Sequence, residues 1–207
     1  MMTQIFLHGL GQVPENWNGI RKASPYICPN LSSLIKNKPS DYQNLYKEVS
    51  KICDQSEGAL DLCGLSIGSV LALQYASAHP EKARSLVLIA PQFKMPKTLL
   101  KIQNVLFSVM PQSAFMETGF GKKEFIQLCT SMQNIDLSES LCKIECPVLI
   151  IYGQKDSPNK KAAVQLSQRL PYAKLKVIEA AGHEVNLDAP EELSKVMDDF
   201  YSEISLG

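Results

Sequence analysis

The sequence has no excess of charge of either sign. Twenty-one lysines and arginines face 21 aspartates and glutamates over 207 residues, for a formal net charge of zero. It contains no basic run and no acidic tail, so it lacks the clustered cations that a nucleic-acid partner requires. It has no uninterrupted apolar stretch long enough to span a bilayer. The opening residues 1–9 carry neither a basic segment nor a small-residue cleavage site, and read as a first strand and not as a signal peptide. Six cysteines (Cys28, Cys53, Cys63, Cys129, Cys142 and Cys146) form no Cys-x-x-Cys pair and no Cys/His spacing suited to zinc. Free thiols in a cytoplasmic, reducing setting are the expectation. Cys142 and Cys146 lie four apart, but Pro147 and a strand follow at once, which argues against a disulfide or a metal pair. No metal or organic cofactor is expected. There is no internal repeat, and only three histidines and one tryptophan are present.

What is present is an alternation of short apolar runs with helical segments. At 207 residues and 45% hydrophobic, the chain suffices for one core, and one domain over 1–207 is the natural reading. Strands are expected at 3–7, 25–29, from 59 up to Gly64, 84–90, 147–153 and 173–180. Those at 84–90 and 147–153 are near-continuous apolar runs, as in strands covered on both faces of a parallel sheet. The run at 25–29 is closed by Pro29 and belongs near a sheet edge. Segment 30–40 reads as loop. Helices are expected at 41–54, 69–79, 159–170 and from about 190 onward. Asp188 is expected to cap the last of these, with Pro190 early in it and Glu191 three residues on. Strand–helix alternation makes this an α/β protein, with a mostly parallel sheet of about six strands and helices on both sides.

The pattern changes over 94–145. Leu99, Leu100, Ile102, Val105, Leu106, Phe107, Val109 and Met110 surround a helix almost completely, Pro111 breaks it, and a second piece carries Phe120, Phe125, Ile126, Leu128 and Met132. Two readings stay open: core helices, or a short lid whose Met, Phe and Leu side chains also line an apolar substrate pocket.

The chain is organised around Gly64-Leu65-Ser66-Ile67-Gly68, placed between an apolar strand and an apolar helix. A serine held on so tight a turn needs neighbours without Cβ atoms, and its hydroxyl emerges at the carboxyl end of the sheet. The amide of Ile67, at the helix N-terminus, is placed to receive an oxyanion. Serine becomes a nucleophile when a base takes its proton and a third group orients that base. His79 ends a helix before Pro80, and His8 beside Gly9 reads as a structural loop residue. His183 follows the last strand in a Gly-flanked loop and is the base. The turn after the strand at 84–90 holds no carboxylate, whereas the turn after 148–152 holds Asp156, which is therefore the acid, with helix capping as its structural alternative. Glu184 reads as solvated. The second oxyanion donor is the amide of Leu10. Trp17 either lines a pocket or packs.

These pieces resemble the α/β-hydrolase family: His8-Gly9-Leu10-Gly11, Gly64-Leu65-Ser66-Ile67-Gly68, Gly153-Gln154-Lys155-Asp156, and Gly182-His183-Glu184 with Asp188-Ala189-Pro190-Glu191 beyond it. They occur in the order nucleophile, acid, histidine. The resemblance implies the strand order second, first, third, fourth, fifth, sixth. It also implies a small serine hydrolase that cleaves an ester or thioester with an apolar acyl part, through an acyl-enzyme. The first two antiparallel strands usual in the family are missing, and the lid is short. Two alternatives are a same-fold lyase or C–C bond hydrolase, similar to menaquinone-pathway enzymes around His8–Gly11 and Trp17, and a non-catalytic binding member. The partner is a small molecule, and the chain is a monomer or homodimer.

Overall fold

The computed structural model describes residues 2–22, 26–116 and 118–206, with Leu99 described by its backbone alone. Six strands form one sheet: β1 (Met2–Leu7), β2 (Tyr26–Ile27), β3 (Ala59–Leu65), β4 (Ala83–Ile89), β5 (Val148–Gly153) and β6 (Ala173–Ile178). Their spatial order is β2-β1-β3-β4-β5-β6, and every neighbouring pair is parallel. Order and direction are those expected from the sequence. The edge strand β2 is two residues long, and Pro25 of the expected strand lies outside the described residues.

Successive side chains leave a strand on opposite faces, and here both faces are apolar. Ile5, Leu62, Leu86 and Ile150 join one buried cluster. Their neighbours Phe6, Cys63, Val87 and Ile151 join the other. On the first face lie α2 (Tyr42–Gln55) and α3 (Ile67–Ala78); on the second, α8 (Pro190–Leu206) contributes Leu193, Met197 and Phe200. Trp17 is fully buried in the second cluster, edge-on to Phe6 at 5.3 Å, so it packs and lines no substrate pocket.

The remaining helices are α1 (Leu31–Leu34), α4 (Lys97–Val109), α5 (Lys122–Ser131), α6 (Ser157–Arg169) and α7 (Val185–Asp188). The one-turn helix α1 lies where a loop was expected. The Asn30 side chain accepts from the Ser33 amide and caps it. Asp41 caps α2 in the same way, accepting from the Asn44 amide at 2.8 Å. Asp188 does not cap α8. It ends α7, and its carboxylate accepts the Gly182 amide at 2.7 Å, closing the loop that carries His183.

Between β4 and β5 the chain leaves the sheet and returns beside its point of departure. Lys94 and Asp136 pair as an isolated antiparallel bridge and as an ion pair at 2.8 Å. Within that closed segment, Phe107, Phe115 and Phe125 meet edge to face, with ring centroids 5.1–6.2 Å apart.

Candidate active site

The turn after β3 is held by contacts that leave no room for side chains. A Cβ on Gly64 would lie 2.2 Å from the Gly68 carbonyl oxygen, and one on Gly68 would lie 2.0 Å from that of Leu7. Ser66 between them has φ 55° and ψ −116°, in the left-handed region that costs a side-chain-bearing residue about 1–3 kcal/mol. Its backbone is pinned on both sides. The amide donates to Ile89 O at 2.9 Å, and the carbonyl accepts from the amides of Ser69 and Val70 and from Ser69 Oγ.

Asp156 is buried behind the end of β5, while His183 is partly exposed. His183 Nδ1 lies 2.9 Å from Asp156 Oδ2. An ionised carboxylate only accepts, so Nδ1 carries the proton and Nε2 keeps its lone pair, the tautomer a general base needs. Asp156 stands at the start of α6 but makes no capping bond there. Its oxygens instead receive the Asn159 Nδ2 amide at 2.8 and 3.0 Å, and Gln92 Nε2 donates to Asn159 Oδ1 at 2.7 Å. The 3.1 Å approach of Asn159 Nδ2 to His183 Nδ1 is then a contact between two donors. Burial pushes the Asp156 carboxyl upward. The hydrogen bonds from His183 and Asn159 outweigh it and leave the group below the ordinary carboxylate value.

Close backbone approach also fixes the loop that carries His183. A Cβ on Gly153 would fall 2.1 Å from Gly182 O, and the Lys155 amide donates to Ala181 O at 2.9 Å. This loop is tied to the one after β1. Gln12 Nε2 donates to Asn186 Oδ1 and Glu184 Oε1, and Gln12 Oε1 accepts from the Gly9 amide and from Asn186 Nδ2. Glu184, expected to be solvated, is thus a hydrogen-bond partner, although it stays exposed.

Ser66, Asp156 and His183 line one cavity of about 540 Å³, and Leu10 and Ile67 line it with them. Among the described residues, the amides of Leu10 and Ile67 donate to no protein acceptor. Ser66 Oγ and His183 share the cavity without a hydrogen bond between them, a looseness common in unliganded sites. The rest of the wall is mostly apolar, with Val70, Met95, Leu100, Ile102, Leu106, Phe107, Phe125 and Met132; Gln92, Gln103 and Asn159 are its uncharged polar members, and no described lysine or arginine lines it. No cluster of three metal-ligating side chains exists among the described residues.

The other histidines are accounted for. His8 is buried, with Nδ1 donating to Gly9 O and Nε2 accepting the Leu31 amide, and burial lowers its pKa. His79 stacks on Tyr75 at the end of α3. Sequence reading missed Asn159, Gln92, Gln12 and Asn186. Only Asn159 left a trace, three residues after Asp156 in the first turn of a helix, where i and i+3 side chains meet.

A six-stranded parallel sheet in this order, with a sharply turned serine directly after β3, has the architecture of an α/β hydrolase. A model of the alpha/beta hydrolase family matches residues 4–196, and the chain belongs to that family. It is similar to the monoacylglycerol lipase abhd6-B of Xenopus laevis, at 24% identity over 97% of this chain and 75% of that one. It is similar at 24% identity to the pimeloyl-[acyl-carrier protein] methyl ester esterase of Aeromonas hydrophila, over 95% of this chain and 94% of the relative. Among solved structures, a thermophilic esterase from Thermogutta terrifontis superposes with a TM-score of 0.78 at 16% identity, covering 99% of this chain and 90% of that one. At that identity the likeness is one of fold.

Proposed function

We propose that this chain is a carboxylic ester hydrolase in which Ser66, His183 and Asp156 work as a nucleophile–base–acid triad on a small or medium ester or thioester with an apolar acyl part. Its similar relatives bear the names of an esterase and a lipase. The observation that carries the reading is the His183–Asp156 hydrogen bond at 2.9 Å, lining the same cavity as a serine held at φ 55°.

In this mechanism Ser66 Oγ attacks the carbonyl carbon as His183 Nε2 takes its proton. Asp156 holds the imidazole in that tautomer and offsets the positive charge that forms. The carbonyl oxygen becomes an oxyanion and receives the free amides of Leu10 and Ile67. Two such donors lower the barrier by about 3–4 kcal/mol or more. The tetrahedral centre collapses, the C–O or C–S bond breaks, and His183 returns the proton to the departing oxygen or sulfur. Water, deprotonated by the same nitrogen, then releases the acid and frees Ser66.

Residues 94–145 act as a short lid within one domain, holding the acyl chain against Leu100, Leu106, Phe107 and Phe125. With no cation among the described lining residues, nothing in the cavity clamps a polyanionic substrate, which weighs against lyase or C–C bond chemistry. The six free thiols fit a cytoplasmic setting. No helix among the described residues is long and apolar enough to cross a membrane.

The test is a series of p-nitrophenyl esters from about two to twelve carbons, run beside matching thioesters. Each added CH₂ that enters the cavity contributes about 0.8 kcal/mol, so kcat/KM should climb severalfold per carbon and then level off, with a product burst equal to the enzyme present. A flat response with no burst contradicts both the acyl pocket and the acyl-enzyme.

A further inference from the structure

Helix α4 fully buries none of its described side chains and carries two apolar stripes. Leu100, Phe107 and Met110 turn inward onto the buried cluster. Ile102, Val105, Leu106 and Val109, at helical i, i+3, i+4, i+7 spacing, are 63%, 67%, 56% and 75% exposed. Met116, just past the helix, is 79% exposed. A contiguous apolar face of this kind marks an interaction surface.

Two observations say what covers it. First, Ile102 and Leu106 belong both to this face and to the wall of the Ser66 cavity, so the patch runs into the cavity mouth. Whatever docks there adjoins the path of the substrate. Second, the charge on the stretch is of one sign. Residues 97–116 contain no aspartate or glutamate, and Lys97 and Lys101, in the first two turns of α4, are exposed. Two copies meeting face to face would set these cations against their own kind and cover the mouth. A lipid leaflet offers acyl chains to the apolar stripe and phosphates to the lysines.

We propose that α4 is a docking face for an anionic lipid–water interface, from which an acyl substrate passes into the Ser66 cavity. The fate of that substrate rests on the hydrolase reading; the contact with the lipid surface does not.

The test is co-sedimentation of the full chain with phosphatidylcholine vesicles, alone or with about one third phosphatidylglycerol. Binding should favour the anionic vesicles and weaken with salt. Val105→Asp with Val109→Asp, neither of which lines the cavity, should lower it at least about tenfold. Lys97→Glu with Lys101→Glu should erase most of the preference for phosphatidylglycerol. Hydrolysis of a water-soluble acetate ester should be unchanged in both variants, which also shows that they fold. Absence of binding to either vesicle, undiminished binding by the valine variant, or dimerisation that the valine variant abolishes would overturn the proposal. Ser66→Ala should bind vesicles as the wild type does. Vesicle binding without any ester hydrolysis would therefore support the docking and count against the triad alone.

Discussion

Asp156 is the residue whose role is hardest to separate from a structural one, because an aspartate at that position in a strand-to-helix turn commonly caps the helix. Its side chain makes no capping bond and is committed to His183 and Asn159. Asp156→Asn leaves the volume and removes the acceptor that fixes the tautomer. We expect kcat to fall by about 10³–10⁴ with little change in KM, measured on an activated ester. The same substitution changes acid stability. The native carboxyl sits below the ordinary value of about 4, so its ionised form is favoured by folding. That contribution is complete above the ordinary value and is lost as pH falls through the depressed one. Urea unfolding of the Asn variant should accordingly depend less on pH in that acid range than that of the wild type.

Asn159 is one of the residues that sequence reading passed over. It spends its amide on both carboxylate oxygens and is itself held by Gln92. Hydrogen bonds to a charged group are worth about 1.5–3 kcal/mol each. Asn159→Ala should lower kcat by about tenfold to a hundredfold and leave KM nearly unchanged, and steady-state kinetics on a short ester will show it. An equal loss in KM would make Asn159 a substrate contact instead. Ser66, Asp156 and His183 could be singled out because each follows a recognisable strand. Gln12 and Asn186 could not, since their pairing spans 174 positions and depends on two loops meeting in space.

At the scale of elements, the site is built by close backbone contact. Strand β3, the Ser66 turn and α3 fit together only because Gly64 and Gly68 have no side chains. Gly68→Ala would drive a methyl group to 2.0 Å from Leu7 O, on the neighbouring strand. The expected cost exceeds about 3 kcal/mol, seen as a large drop in melting temperature or as insoluble protein. An unshifted melting temperature would mean that the turn has slack the structure does not show. The inner strands β1, β3, β4 and β5 were legible because they are buried on both faces and read as apolar runs, whereas the edge strand β6 buries only Ile178. The short α1 was not, since its one turn depends on the Asn30 cap and on Leu31 packing, not on periodicity. The 94–145 segment resisted a single reading for a physical reason. α5 buries Phe125, Leu128 and Cys129 as a core helix does, whereas α4 turns apolar side chains both inward and to solvent.

For the molecule as a whole, the parallel sheet gathers the carboxyl ends of β3, β5 and β6 along one edge. Ser66, Asp156 and His183 follow those three ends, and together they line one cavity. The central claim is that they act as one unit at Ser66. The direct measurement is the site and rate of labelling by a fluorophosphonate probe, mapped by peptide mass spectrometry on the wild type, Ser66→Ala and His183→Ala. We predict that the label sits on Ser66 in the wild type, is absent from Ser66→Ala at an unchanged melting temperature, and arrives at least about 10³-fold more slowly in His183→Ala. A label on another serine, or an undiminished rate without His183, would contradict it.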